Sequence, residues 1–127
     1  MQKVQRDINL LDPKFQKIAE VAVKITKYYK LPFRIFETKR TLTRQIQLKN
    51  AGRSKTLRSK HIKGLAFDIV AYGDKGWSWD YPKYEKEWNT LAYLIQHYSE
   101  LLYRVKVVWG GDWVWKDRPH FEYGGEL

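Results

Sequence analysis

The chain has 127 residues, the length of one ordinary domain, and its 43% hydrophobic content is enough for one core, so a single domain over residues 1–127 is expected. It contains no cysteine, which excludes disulfides, thiolate metal sites and a cysteine nucleophile and leaves only nitrogen and oxygen to hold any metal. Twenty-four Lys and Arg against 14 Asp and Glu give a net charge of +10, which attracts polyanions such as nucleic acid, anionic lipid headgroups or bacterial cell-wall polymers through a salt-sensitive field.

The opening Met1-Gln2-Lys3-Val4-Gln5-Arg6-Asp7 has no apolar h-region, and no later stretch approaches the roughly 20 apolar residues that span a bilayer. A soluble protein with neither a secretion signal nor a transmembrane segment is expected. No repeat, low-complexity tract or Pro/Gly/Ser linker marks off a second module. Asp12-Pro13 reads as an N-cap with proline at the first helical position, and Phe15, Ile18, Ala22, Ile25 and Tyr29 recur at helical spacing, predicting a helix over residues 13–30. Leu31-Pro32 stops it. Phe33 to Glu37 is a short strand candidate, and Thr43 to Ala51 a small helix closed by Gly52. Residues 53–60, with Arg53, Lys55, Arg58 and Lys60, read as a basic loop, followed by the buried strand Leu65-Ala66-Phe67-Asp68-Ile69-Val70-Ala71.

A second long helix is marked from Tyr84 to Tyr103 by Trp88, Leu91, Ile95, Tyr98 and Leu102. Val105 to Trp109 is a strand, Gly110-Gly111 a turn or bulge, and His120 to Tyr123 a final strand. The expected fold is α+β: a small, mostly antiparallel sheet packed against two longer helices and one short helix.

Asp68 is the anomaly in this pattern, because a buried ionised carboxylate is costly unless it is paired or coordinates a metal. Alternation sends Ala66, Asp68 and Val70 to one face of the strand and Phe67 and Ile69 to the other, so Asp68 can face a cleft. His61 lies in the loop entering the strand, and Gly64 lets the backbone turn tightly or approach another segment closely. Taken alone, this segment fits equally an Asp68 paired with Arg or Lys beside a surface histidine. Near the end of the chain, Asp117-Arg118-Pro119-His120 puts a second aspartate and histidine together, with an extended step at Arg118. A catalytic zinc typically takes three His or carboxylate ligands at about 2.0–2.2 Å and keeps its fourth position for water. His61, Asp68 and His120 supply that set at the sheet cleft, and Asp117 remains to handle the water's proton.

The segments Arg40-Thr41 with Gln45, Ser59-x-His61-x-x-Gly64-x-Ala66-x-Asp68, and Trp109-Gly110-Gly111-Asp112-Trp113 followed by Asp117-Arg118-Pro119-His120-Phe121-Glu122 resemble, in this order, the LAS family of zinc peptidases. That family groups D-alanyl-D-alanine carboxypeptidases and dipeptidases with L-alanyl-D-glutamate endopeptidases, and the likeness is strongest to the endopeptidase endolysins of bacteriophages. It implies Zn²⁺ as cofactor, His61, Asp68 and His120 as metal ligands, Asp117 as general base, Arg40 as the group that polarises the scissile carbonyl or holds substrate, and Ser59 and Gln45 as supports. One departure is Glu37-Thr38-Lys39-Arg40, where relatives carry a glycine shortly before the arginine.

The resemblance implies hydrolysis of an amide bond in the peptidoglycan stem peptide, L-alanyl to D-glutamate, by an enzyme made in a host cytoplasm and released to the cell wall; a monomer is expected. A D-alanyl-D-alanine carboxypeptidase or dipeptidase is the alternative within the class. A nucleic-acid-binding module is the alternative outside it, but it leaves the His/Asp constellation idle, so no dedicated nucleic-acid partner is expected. Asp112 and Glu122 are candidates to accept a hydrogen bond from the far nitrogen of a ligating histidine, though each has an ordinary surface reading and both are left outside the core site. His97 sits off the apolar stripe of its helix and is expected to face solvent, and Trp77 and Trp79, on a Gly-flanked loop, are candidates to stack on a glycan or peptide.

Overall fold

In a computed structural model, residues 3–54, 56 and 58–127 are described. Met1 and Gln2 of the opening segment and Lys55 of the basic loop lie outside the described residues. The fold is α+β. Helix α1 (Pro13–Tyr28) is followed by β1 (Phe33–Glu37), α2 (Leu42–Asn50), β2 (Ala66–Gly73), β3 (Gly76–Ser78), α3 (Glu85–Tyr103), β4 (Val105–Trp109) and β5 (His120–Glu126). The sheet runs in the order β1-β2-β5-β4, every pairing is antiparallel, and β3 folds back onto the far half of β2.

Local chemistry sets the boundaries. Asp12 caps α1 by accepting from the Lys14 N–H, with Pro13 at the first helical position. Thr41 caps α2 through the Arg44 N–H, which starts that helix one residue before the expected Thr43. Gly52 closes it at φ 73°. The chain leaves α3 through Arg104 at φ 54° and enters β4 directly.

The two faces of the sheet differ in chemistry. Phe33, Phe67, Ile69, Ala71, Val105, Val107, Trp109 and Phe121 join Phe15, Ile18, Ala22 and Ile25 of α1 and Trp88, Leu91, Ala92 and Ile95 of α3 in one core. Burying a side chain of this size contributes about 1.5–3 kcal/mol. Asp68 and His120 stand on the other face, where Arg44 of α2 reaches Glu37 of β1.

Three expectations need correction. Leu102 is 58% exposed and Tyr29 is 40% exposed, because the inward positions end at Ser99 in α3 and at Ile25 in α1, so the last turn of each lies beyond the packed seam. Trp77 belongs to a strand: a tight turn after Gly73 pairs β3 with β2, and Trp77 packs edge-on against Phe36 and Tyr72. The last strand continues to Glu126 instead of ending at Tyr123.

Candidate metal centre and active-site cleft

Sheet register brings the first two candidate ligands together. Asp68 of β2 pairs directly with His120 of β5, and across the other edge Asp68 pairs with Glu37 of β1. Directly opposed residues in an antiparallel pair hold their side chains close on one face. His61 comes from the loop before β2, whose return is made tight by Gly64: this glycine has φ 71°, and a Cβ on it would lie 2.8 Å from the Asp12 nitrogen. Its carbonyl also accepts that nitrogen's proton at 3.0 Å, fastening the loop to the start of α1.

The three ligand atoms lie within 4.8 Å of one another. His61 Nε2 is 3.1 Å and His120 Nδ1 is 3.4 Å from the same carboxylate oxygen of Asp68. The far nitrogen of each ring has a partner of its own. His61 Nδ1 donates to the Thr38 carbonyl at 2.8 Å, and His120 Nε2 bonds the Glu122 carboxylate at 2.8 Å, while Glu122 is also held by Lys60 Nζ at 3.1 Å. A proton on each far nitrogen leaves the inner nitrogens as lone-pair donors facing one point, which is the arrangement a nitrogen- and oxygen-bound divalent ion requires. Burial alone would raise the Asp68 pKa, but His61 and His120 together push it well below the usual carboxylate range. Burial likewise opposes charge on His120, yet its bonds to Asp68 and Glu122 raise its pKa to about 9 in the metal-free protein, so a bound ion would displace the proton from Nδ1.

Asp117 stands outside this trio at the mouth of the cleft. Its N–H donates to the Gly110 carbonyl at 2.8 Å, and a Cβ on Gly110 would lie 2.3 Å from the Asp117 oxygen, so only glycine fits there. Trp109 Nε1 grips the Arg118 carbonyl at 2.7 Å and the Ile69 N–H grips that of Pro119 at 2.8 Å, fixing the segment between β4 and β5. The surrounding walls and the Asp68 charge raise the Asp117 pKa.

Arg40, 7% exposed, is held on two sides: one terminal nitrogen donates to Gln45 Oε1 at 2.7 Å and the other to Glu37 Oε1 at 2.7 Å, with Asp68 at 3.6 Å. Its Nε is buried without an acceptor among the described residues. Gln45 in turn donates to Ser54 Oγ and the Thr56 carbonyl, and Ser59 Oγ accepts the His61 N–H at 3.2 Å.

Reasoning from the sequence missed the Glu37 carboxylate, 1% exposed between Arg40 and Arg44, because a bulge between Ile35 and Glu37 shifts the register that would place it. Glu122 was legible: two residues after His120 on a strand, it shares that face. Asp112 serves neither histidine, whose far nitrogens go to Thr38 and Glu122. His97 is exposed and stacks on Tyr93. A cleft of about 990 Å³ encloses the trio, Arg40 and Asp117, with Trp79, Tyr81, Trp113 and Trp115 on its walls and Arg53, Arg58 and Lys116 among its cations.

Comparison with known proteins gives three findings. Residues 52–123 match the model of a peptidase family described as D-alanyl-D-alanine carboxypeptidase. The L-alanyl-D-glutamate peptidase of Listeria phage A118 is 32% identical over 93 residues, which cover 70% of this chain but 29% of that protein, so the chain spans under a third of its length. The crystal structure of the Serratia marcescens L-Ala D-Glu endopeptidase ChiX superimposes with a TM-score of 0.76 at 28% identity, covering 97% of this chain and 90% of that one.

Proposed function

Because the chain belongs to the D-alanyl-D-alanine carboxypeptidase family of peptidases, we propose that it is a zinc-dependent peptidoglycan peptidase that cleaves the L-alanyl–D-glutamate amide of the stem peptide. The observation that carries this reading is the convergence of His61, Asp68 and His120 within 4.8 Å, each histidine having its far nitrogen occupied. The choice of bond rests on the names of the phage and Serratia relatives, both L-alanyl-D-glutamate enzymes, whereas the family description names a D-alanyl-D-alanine activity.

A zinc ion held by the two histidines and Asp68 would polarise the scissile carbonyl and make water acidic enough to lose a proton near neutral pH. Asp117 takes that proton, since its raised pKa makes it a better base than an ordinary carboxylate, and then delivers it to the leaving amine. Arg40 lines the cleft and sets its charge beside the substrate carbonyl while Gln45 and Glu37 keep the guanidinium from turning away. Ser59 steadies the loop that carries His61. The cleft, near the upper end of ordinary ligand pockets of about 300–1,000 Å³, accommodates a peptide, and no helix among the described residues is long and apolar enough to cross a membrane. The site of action in this reading is the cell wall, reached after release from the cytoplasm.

Digestion of purified peptidoglycan by the zinc-loaded protein, followed by mass spectrometry of the muropeptides, tests this. New amino termini at D-glutamate are expected. Loss of a terminal D-alanine instead would move the enzyme to the carboxypeptidase branch, and no cleavage at all would defeat the proposal.

A further inference from the structure

One wall of the cleft carries a hydroxyl that the mechanism above does not use. Tyr81 follows β3 and lines the cleft together with Arg40, Asp68, Asp117 and His120. Its ring is held firmly. The backbone N–H donates to the Trp79 carbonyl at 3.0 Å, the ring lies 6.2 Å from that of Trp88 in the core, and the Arg118 guanidinium sits 5.5 Å over its face. Arg118 is tethered at 3.0 Å to Glu85 in the first turn of α3, so the residue next to Asp117 clamps the ring from outside.

The hydroxyl has no protein acceptor among the described residues. Burial and then the charges of Asp117 and Asp68 raise its pKa against the opposing charge of Arg118, which keeps the proton in place. A fixed, neutral donor beside the general base and the metal ligands is suited to a charge that develops only during reaction. Arg40 meets this need only through its charge, because its two terminal nitrogens are committed to Glu37 and Gln45 and its Nε is buried.

We infer that Tyr81 is a further catalytic residue, whose hydroxyl donates a hydrogen bond to the oxygen of the attacked peptide carbonyl as that oxygen becomes an oxyanion. The bond is donated and not transferred: the tyrosine keeps its proton throughout, and Asp117 alone carries the proton from water to the leaving amine. This assignment rests on the peptidase reading of the cleft.

The test compares wild type with Tyr81→Phe, which keeps the ring between Trp88 and Arg118 and removes only the oxygen. Both are loaded with zinc and assayed on an L-alanyl-γ-D-glutamyl peptide, and both are titrated with a phosphinate analogue of the same peptide as a tetrahedral mimic. Tyr81→Phe is expected to hold one zinc and keep its KM, to lose kcat on the order of 10²-fold, and to bind the phosphinate more weakly by a similar factor. An unchanged kcat, a loss confined to KM, or unchanged phosphinate affinity would overturn the assignment and leave the peptidase reading standing. A zinc-loaded wild type that cleaves no peptide would overturn both.

Discussion

The tautomer of each candidate ligating histidine is set by a single neighbour. His61 is oriented by the Thr38 carbonyl and His120 by Glu122, whose other oxygen is held by Lys60. Partners of this kind typically account for 10- to 100-fold in metal affinity, so Glu122→Gln is expected to weaken zinc binding by about that factor, measured by competition with a chelating dye, without unfolding the protein. Asp117 lies outside the trio, so Asp117→Ala is expected to retain metal while kcat falls by roughly 10²–10⁴-fold. Its raised pKa has a sign that can be checked: the base works only when ionised, so activity is present above that pKa and is lost as pH falls through it. The acid limb of kcat/KM, which reports the free enzyme, is therefore expected above the ordinary carboxylate range in the wild type, with metal content followed in the same samples. At this scale the sequence was informative wherever chemistry conflicted with context. Asp68 was conspicuous as a carboxylate in an apolar run, and His120 by its proximity to Asp117. Tyr81 was not, because its place in the cleft depends on a hairpin and on Arg118 reaching across from another loop.

Elements place these residues through register and through close backbone approaches. The row Glu37, Asp68, His120 crosses three strands, and the bulge in β1 is what aligns its first member. Glu37 is buried between two guanidiniums. Burial raises its pKa, but the bonds from Arg44 and Arg40 outweigh that and leave it lowered. A depressed carboxylate contributes stability that is complete above its unfolded value and is lost as pH falls through the folded one, so acid unfolding should be shifted for Glu37→Gln relative to wild type. At neutral pH the same substitution is expected to cost about 3–5 kcal/mol in denaturant titration, because it removes the carboxylate charge that two buried guanidiniums share. Gly64→Ala should destabilise by roughly 1–3 kcal/mol, being strained at φ 71° and set against the Asp12 backbone. Periodicity and capping residues made α1, β1, α2, β2, α3 and β4 legible almost to their ends. β3 was not, since three residues bounded by glycine carry too little alternation to register, and neither was the exposure of Leu102, because helical spacing does not show where a helix runs past its neighbours.

For the whole molecule, the net charge of +10 and the cations Arg53, Arg58 and Lys116 around the cleft favour approach to a negatively charged envelope. Cleavage of intact cell walls is accordingly expected to slow as salt rises from 50 to 500 mM, a range over which the screening length falls from about 14 Å to about 4 Å, while cleavage of a short soluble peptide changes little. Composition made the charge legible; the way sheet and helices divide into an apolar core face and a polar cleft face came from alternation in β2. The account as a whole depends on His61, Asp68 and His120 sharing one divalent ion. Calorimetric titration of the metal-stripped protein with zinc tests that most directly: the wild type is expected to take up one equivalent tightly, and His61→Ala and His120→Ala to lose that binding. A wild type that binds no zinc, or a His120→Ala variant that binds it as tightly as wild type, would contradict the account.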